Sequence, residues 1–152
     1  MAGRELKRKV VGWLRQGISP RRLAVTLALG FTIGCLPVVG APTLLCAGLA
    51  LGLGLNLPAI QAANYVAMPF QLALIVPFVK LGAKATAAGT PSIAPSALIH
   101  ASMSDLALRM GGLAGEALLG WLLVAVPVGA FMTAALTVGL RQVLPQKAEA
   151  GD

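Results

Sequence analysis

Between Leu23 and Val79 the chain contains no Asp, Glu, Lys or Arg, and a second uncharged run extends from Ala117 to Leu140. Acidic residues are scarce everywhere, five against twelve Lys and Arg, and there is one His, His100. Each shortage removes a class of function. With no carboxylate, His or Lys in the long neutral run, general acid–base catalysis has no candidates there, and an enzyme is not expected. Asp105, Glu116 and His100, which lie outside that run, read as interfacial surface residues. Cys35 and Cys46 stand eleven apart with no Cys-x-x-Cys and no His beside them, so they read as small packing residues. No disulfide, metal or cofactor is expected. Gly52-Leu53-Gly54 is no dinucleotide fingerprint, because the strand, the third glycine and the acidic partner are missing.

What the chain does contain is apolar: 57% of residues are hydrophobic, 11% are charged, and mean hydropathy is +0.84. A soluble domain carries about 25% charged residues. The composition is that of a membrane protein. As one helix the first neutral run would measure about 85 Å, against a hydrocarbon core of ~30 Å. It must therefore double back. Eighteen Gly and ten Pro are compatible with this, because membrane helices tolerate both where neighbours satisfy the freed backbone groups.

The net charge of +7 is concentrated near the start, where Arg4, Lys7, Arg8, Lys9, Arg15, Arg21 and Arg22 are opposed only by Glu5. Such a cluster before the first membrane segment predicts a cytoplasmic N-terminus. Arg8, Lys9, Arg15, Arg21 and Arg22 are candidate contacts for anionic lipid headgroups. Nucleic acid is not expected as a partner, since only Trp13 interleaves with these charges. A cleaved signal peptide fits badly, because the apolar run continues far past any cleavage site. Leu6, Val10, Trp13 and Leu14 recur at helical spacing, which predicts an amphipathic helix over 5–16 lying on the membrane surface.

Residues 1–22 thus form a basic cytoplasmic segment, 23–140 a single membrane domain and 141–152 a polar tail. Within the domain, Leu23 to Leu36 and Thr43 to Leu55 are each too short to cross, and Pro37, Gly40 and Pro42 break the chain between them. The spacing favours a re-entrant helical hairpin over 23–55, with two kinked spans as the alternative. Residues 58–79 are long enough to span despite Pro69 and Pro77. Residues 90–115 place Leu98, Ile99, Met103, Leu106, Met110 and Leu113 at helical spacing and predict a second interfacial helix. Residues 117–140 predict a second span. The fold class is an all-α membrane protein.

Gln61, Asn64, Met68 and Gln71 follow one another at three- and four-residue intervals and share a helix face, with Tyr65 beside them. Amides in a membrane helix should face protein. They either line a binding path with Pro37, Gly40 and Pro42 of the broken loop, or serve as interhelical hydrogen bonds; packing needs no substrate and is the simpler reading. Gly30/Gly34, Gly48/Gly52 and Gly111/Gly115 repeat at four-residue intervals, which suits close helix packing or self-association.

Gly17-Ile18-Ser19-Pro20-Arg21-Arg22-Leu23-Ala24, Leu27 to Gly34, Pro37-Val38-Val39-Gly40, Asn56-Leu57-Pro58-Ala59 and Tyr65 to Gly82 together resemble a bacterial membrane family, domain of unknown function 2062. The chain has Met68 where the commonest pattern carries Asn, and Pro69-Phe70-Gln71 follows a second variant, with Ala83 in place of Glu. The resemblance implies an inner-membrane protein and supplies no activity; glycosyltransferase-like regions beside the domain in some relatives hint at the cell envelope. The expected role is a non-enzymatic membrane-embedded binding or assembly module that meets itself or a membrane partner. The alternative is an oligomeric transport or permeation protein for a small or anionic solute or a lipid headgroup.

Overall fold

A computed structural model describes residues 3–5, 19–87 and 101–143. The surface helix expected over 5–16, with Arg8, Lys9 and Arg15, therefore lies outside the described residues apart from its first position. So do residues 90–100 of the second interfacial helix and most of the tail. Among the described residues four helices carry the fold: α1 (Pro20–Gly34), α2 (Ala41–Leu53), α3 (Leu57–Ala85) and α4 (Met103–Val143).

Local chemistry sets their ends. Ser19 Oγ accepts the Arg22 N–H at 3.3 Å and Pro20 occupies the first turn, so α1 starts on a side-chain cap. It stops three residues before Pro37, where the Val38 N–H returns to Leu36 O at 2.7 Å in a γ-type turn that suits the fixed φ of proline. Gly40 then takes φ +85, a left-handed conformation that permits the sharp entry into α2. At the other end of α2, Gly54 (φ +61) and the Leu55 N–H, bonded to Ala50 O at 2.8 Å, close the helix. Asn56 Oδ1 caps α3 through the Ala59 N–H at 2.9 Å.

At 1.5 Å per residue α1 and α2 measure about 22 Å and 20 Å, and α3 and α4 about 43 Å and 61 Å. The two long helices are apolar enough to cross a membrane. In α4 the most apolar 18-residue window contains no buried residue, and in α3 only 28% of it is buried. Core helices of soluble proteins bury such windows.

Two boundaries differ from the sequence reading. α3 runs past Val79 through Lys80 and Lys84, and α4 has no break at Glu116, so residues 103–115 and 117–140 form one helix. No proline or capping residue separates those segments, and a backbone ladder continues regardless of side-chain polarity.

α1, α3 and α4 pack against one another, and α2 leans on α3 and α1. α1 lies parallel to α3: Gly30 meets Ile60 and Ala63, and one turn later Gly34 meets Asn64 and Ala67. α2 returns antiparallel to α1, since the Arg22 guanidinium reaches Leu53 O at 3.3 Å. α4 is antiparallel to α3, with Gly82 against Glu116 and Gly120 against Phe78. Ile33, Cys46, Ala50 and Ile60 bury together where α1, α2 and α3 converge, so Cys46 is a packing residue. Both thiols are free and buried.

Candidate functional site: the broken end of α1

Ending a helix inside a packed core leaves carbonyl groups that need new donors. At the end of α1 the Leu36 N–H turns to Ile33 O (2.9 Å) and the Cys35 N–H to Phe31 O (3.1 Å). Thr32 O and Leu36 O receive donors from other helices. Trp121 Nε1 of α4 donates to Thr32 O at 3.0 Å. Gln71 Nε2 of α3 donates to Leu36 O at 2.6 Å, and Val38 O lies 3.5 Å away. Gln71 is only 8% exposed. The tip beyond, from Val38 to Gly40, is exposed, with Val39 at 88%.

A second polar cluster joins α3 to the first turn of α2. Gln61 Nε2 donates to Thr43 O at 3.0 Å, while Asn64 Nδ2 lies 3.2 Å from Thr43 Oγ1 and 3.3 Å from Gln61 Oε1. Pro42 is buried beside this cluster in sequence, and Gly40 is the αL residue that precedes it. The structure thus places Gln61 and Asn64 with Thr43, and Gln71 separately with the carbonyls flanking Pro37.

Met68 and Tyr65 do not join them. Both are more than half exposed, and the buried stripe of α3 runs Ile60, Asn64, Ala67, Gln71, Phe78 and Gly82. Spacings of three and four accommodate either stripe, and neighbouring helices select the one observed. Thr43 and Trp121 were not singled out in the sequence. Thr43 stands directly after Pro42, in a helix's first turn, and Trp121 is the lone aromatic in the first half of the Ala117 to Leu140 run, which are the signals that mark them.

The three Gly pairs also divide. A Cβ at Gly34 would lie 2.6 Å from the Ala67 Cβ, whereas Gly48, Gly52, Gly111 and Gly115 face open space. The closest approach belongs to Gly82 and Gly120, neither of which has a glycine four residues away: a Cβ there would land on the Glu116 and Phe78 carbonyl oxygens. Glu116 sits at this crossing, with Oε2 buried and without a hydrogen-bond partner among the described residues. It is not the free surface residue that its sequence context predicts. Arg21 and Arg22 are exposed at the start of α1.

A family model described as an uncharacterized protein conserved in bacteria (DUF2062) matches residues 4–148. The chain belongs to this family. The resemblance carried by motifs between Gln16 and Gly82 therefore extends through α4, and DUF2062 membership covers the whole described bundle. No curated protein and no solved structure matches the chain. The DUF2062 description names no activity.

Proposed function

We propose that the chain is a multi-pass inner-membrane protein with a cytoplasmic N-terminus, acting as a non-enzymatic binding or assembly module of the cell envelope. The observation that carries this reading is where the polar side chains go. Gln61, Asn64, Gln71 and Trp121 are engaged in fastening the α1–α2 hairpin to α3 and α4. The outward faces are apolar instead, with Leu51 78% and Phe131 74% exposed. Amides turned inward hold a shape, and apolar faces turned outward meet lipid or partner helices.

The charge distribution supports the orientation. Arg21 and Arg22 begin α1, and antiparallel packing brings Arg141, at the end of α4, towards the same end; Lys80 and Lys84 lie towards the other end of α3, with Arg109 near the start of α4, so the basic residues before α1 carry the bias. With Arg4, Lys7, Arg8, Lys9 and Arg15 preceding α1, the end where α1 starts belongs in the cytoplasm. Starting there, α1 reaches about 22 Å into a core of ~30 Å before it turns. That depth supports a re-entrant hairpin.

One observation favours the alternative, an oligomeric transport or permeation protein: the α2 N-terminus has no side-chain cap, and half-helix N-termini attract anions. Reconstitution separates the two. An assembly module gives no solute flux in liposomes, and crosslinked oligomers or partner capture weaken when Asn64 is replaced by Leu. Flux that Asn64→Leu and Gln71→Leu abolish without loss of expression would establish transport instead.

A further inference from the structure

A groove of about 360 Å³ runs between α1 and α4, with Leu29, Thr32 and Ile33 on one wall and Trp121, Ala125 and Gly129 on the other. Its polar groups are already engaged. Thr32 Oγ1 donates to Ala28 O at 2.7 Å, Thr133 Oγ1 donates to Gly129 O at 2.8 Å, and the Trp121 N–H is held by Thr32 O. What remains is a hydrocarbon-lined slot of a size at the lower end of small-molecule sites. Trp121 crosses it at the tip end of α1, and Val25 and Thr133 line its other end.

The register places charge at that other end. A Cβ on Gly129 would lie 3.3 Å from Thr32 Oγ1, so these residues are level. Arg21 lies eleven residues before Thr32 and Arg141 twelve after Gly129, distances of about 17 Å and 18 Å along antiparallel helices. Arg21 and Arg141 therefore both lie beyond this end of the groove, past Val25 and Thr133. The acidic residues of α4, Asp105 and Glu116, lie towards its opposite end.

We propose that the groove holds one hydrocarbon chain of an anionic phospholipid, with the lipid phosphate between Arg21 and Arg141. This rests on the membrane reading above and deepens its binding half. Any lipid tail can fill an apolar slot, because tails are as apolar as the side chains that line it. Selection comes from the head: two basic side chains, with no carboxylate among the described residues at their end of α4, favour a phosphate that carries net charge.

Trp121 reports occupancy directly. The full chain with Trp13→Phe, leaving one Trp, is reconstituted in phosphatidylcholine vesicles containing a minor fraction of either phosphatidylglycerol or phosphatidylcholine brominated in the lower half of the acyl chain. Bromine quenches Trp fluorescence at contact. The expected result is preferential quenching by the anionic lipid, with relative occupancy about fivefold or more over the neutral lipid, the factor one basic residue near a membrane surface supplies. The preference should fall with added salt and disappear in Arg21→Gln/Arg141→Gln; Arg22 is left in place because it fastens Leu53. Ala125→Phe, which fills the slot, should remove the preference with the arginines intact. Equal quenching by both lipids overturns the proposal, as does a preference that survives Ala125→Phe. Quenching by neither lipid also overturns it, and if dilution of the protein in the bilayer restores quenching, a second copy occupies the groove. Protein that fails to remain with the vesicles refutes the underlying membrane reading, whereas retained protein without preference refutes only the lipid site.

Discussion

Gln71 and Leu36, thirty-five residues apart in the chain, meet through a 2.6 Å hydrogen bond from the side-chain amide to the backbone carbonyl. Gln71 stands fourteen residues into α3, about 21 Å from Leu57, and α1 is about 22 Å long. Gly34, the last residue of α1, packs against Asn64 and Ala67, so the amide one turn beyond Ala67 meets the chain just past the point where α1 stops.

Gln71→Leu should destabilise the protein by about 1–3 kcal/mol, since it withdraws a donor from a buried carbonyl. Thermal unfolding in mild detergent reads this, with Val76→Leu, on an exposed face, as the control that should leave the midpoint nearly unchanged. If Gln71→Leu unfolds with the control, the amide does not hold the hairpin.

Trp121→Phe keeps an aromatic ring but a smaller one, and it removes the N–H that Thr32 O accepts. A loss of about 1–3 kcal/mol is expected, since a carbonyl loses its donor and some packing goes with it. Hydrogen exchange should show increased opening at the C-terminal turn of α1 before the rest of the bundle. Uniform protection across α1 would contradict the assigned role.

Gly82→Ala and Gly120→Ala should each force α3 and α4 apart, because the added methyl meets backbone rather than a movable side chain. Overpacking of this kind costs about 1–3 kcal/mol or more. Gly48→Ala and Gly52→Ala face open space and should be neutral or stabilising by up to about 1 kcal/mol through helix propensity. Unfolding midpoints in one detergent compare all four, and the reverse ordering would remove the α3–α4 crossing.

Arg22→Gln shortens the side chain that clasps Leu53 O at 3.3 Å. The site is exposed, so a loss of only about 0.5–1 kcal/mol is expected. Limited proteolysis between α2 and α3 should nonetheless accelerate relative to Arg21→Gln. Equal cleavage of the two variants would show that the clasp does not restrain the hairpin.

The broken pair α1 and α2 was legible because Pro37, Gly40 and Pro42 act locally, through φ restriction and missing donors. The amides were legible as inward-facing groups, but their partners were not: Leu36 O and Thr32 O are backbone atoms whose need for donors arises only from the tertiary break. α4 was divided at Glu116 because charge change was read as a boundary, and a helix needs no such uniformity. Glycine spacing identified Gly30 and Gly34 yet missed Gly82 and Gly120, because close approach depends on where two helices cross, which is set by the partner. Met68 was grouped with the amides by periodicity alone, and its exposure reflects which face α1 and α2 occupy.

Cysteine accessibility at the hairpin tip tests the central claim most directly. With Cys35 and Cys46 replaced by Ala, single cysteines at Val39, Ser19 and Lys84 are treated with a membrane-impermeant thiol reagent from each side of the membrane. The account predicts labelling of Ser19→Cys from the cytoplasm only, of Lys84→Cys from the outside only, and of Val39→Cys from neither side. Labelling of Val39→Cys from the outside would show that the chain crosses there, and the re-entrant account would be wrong.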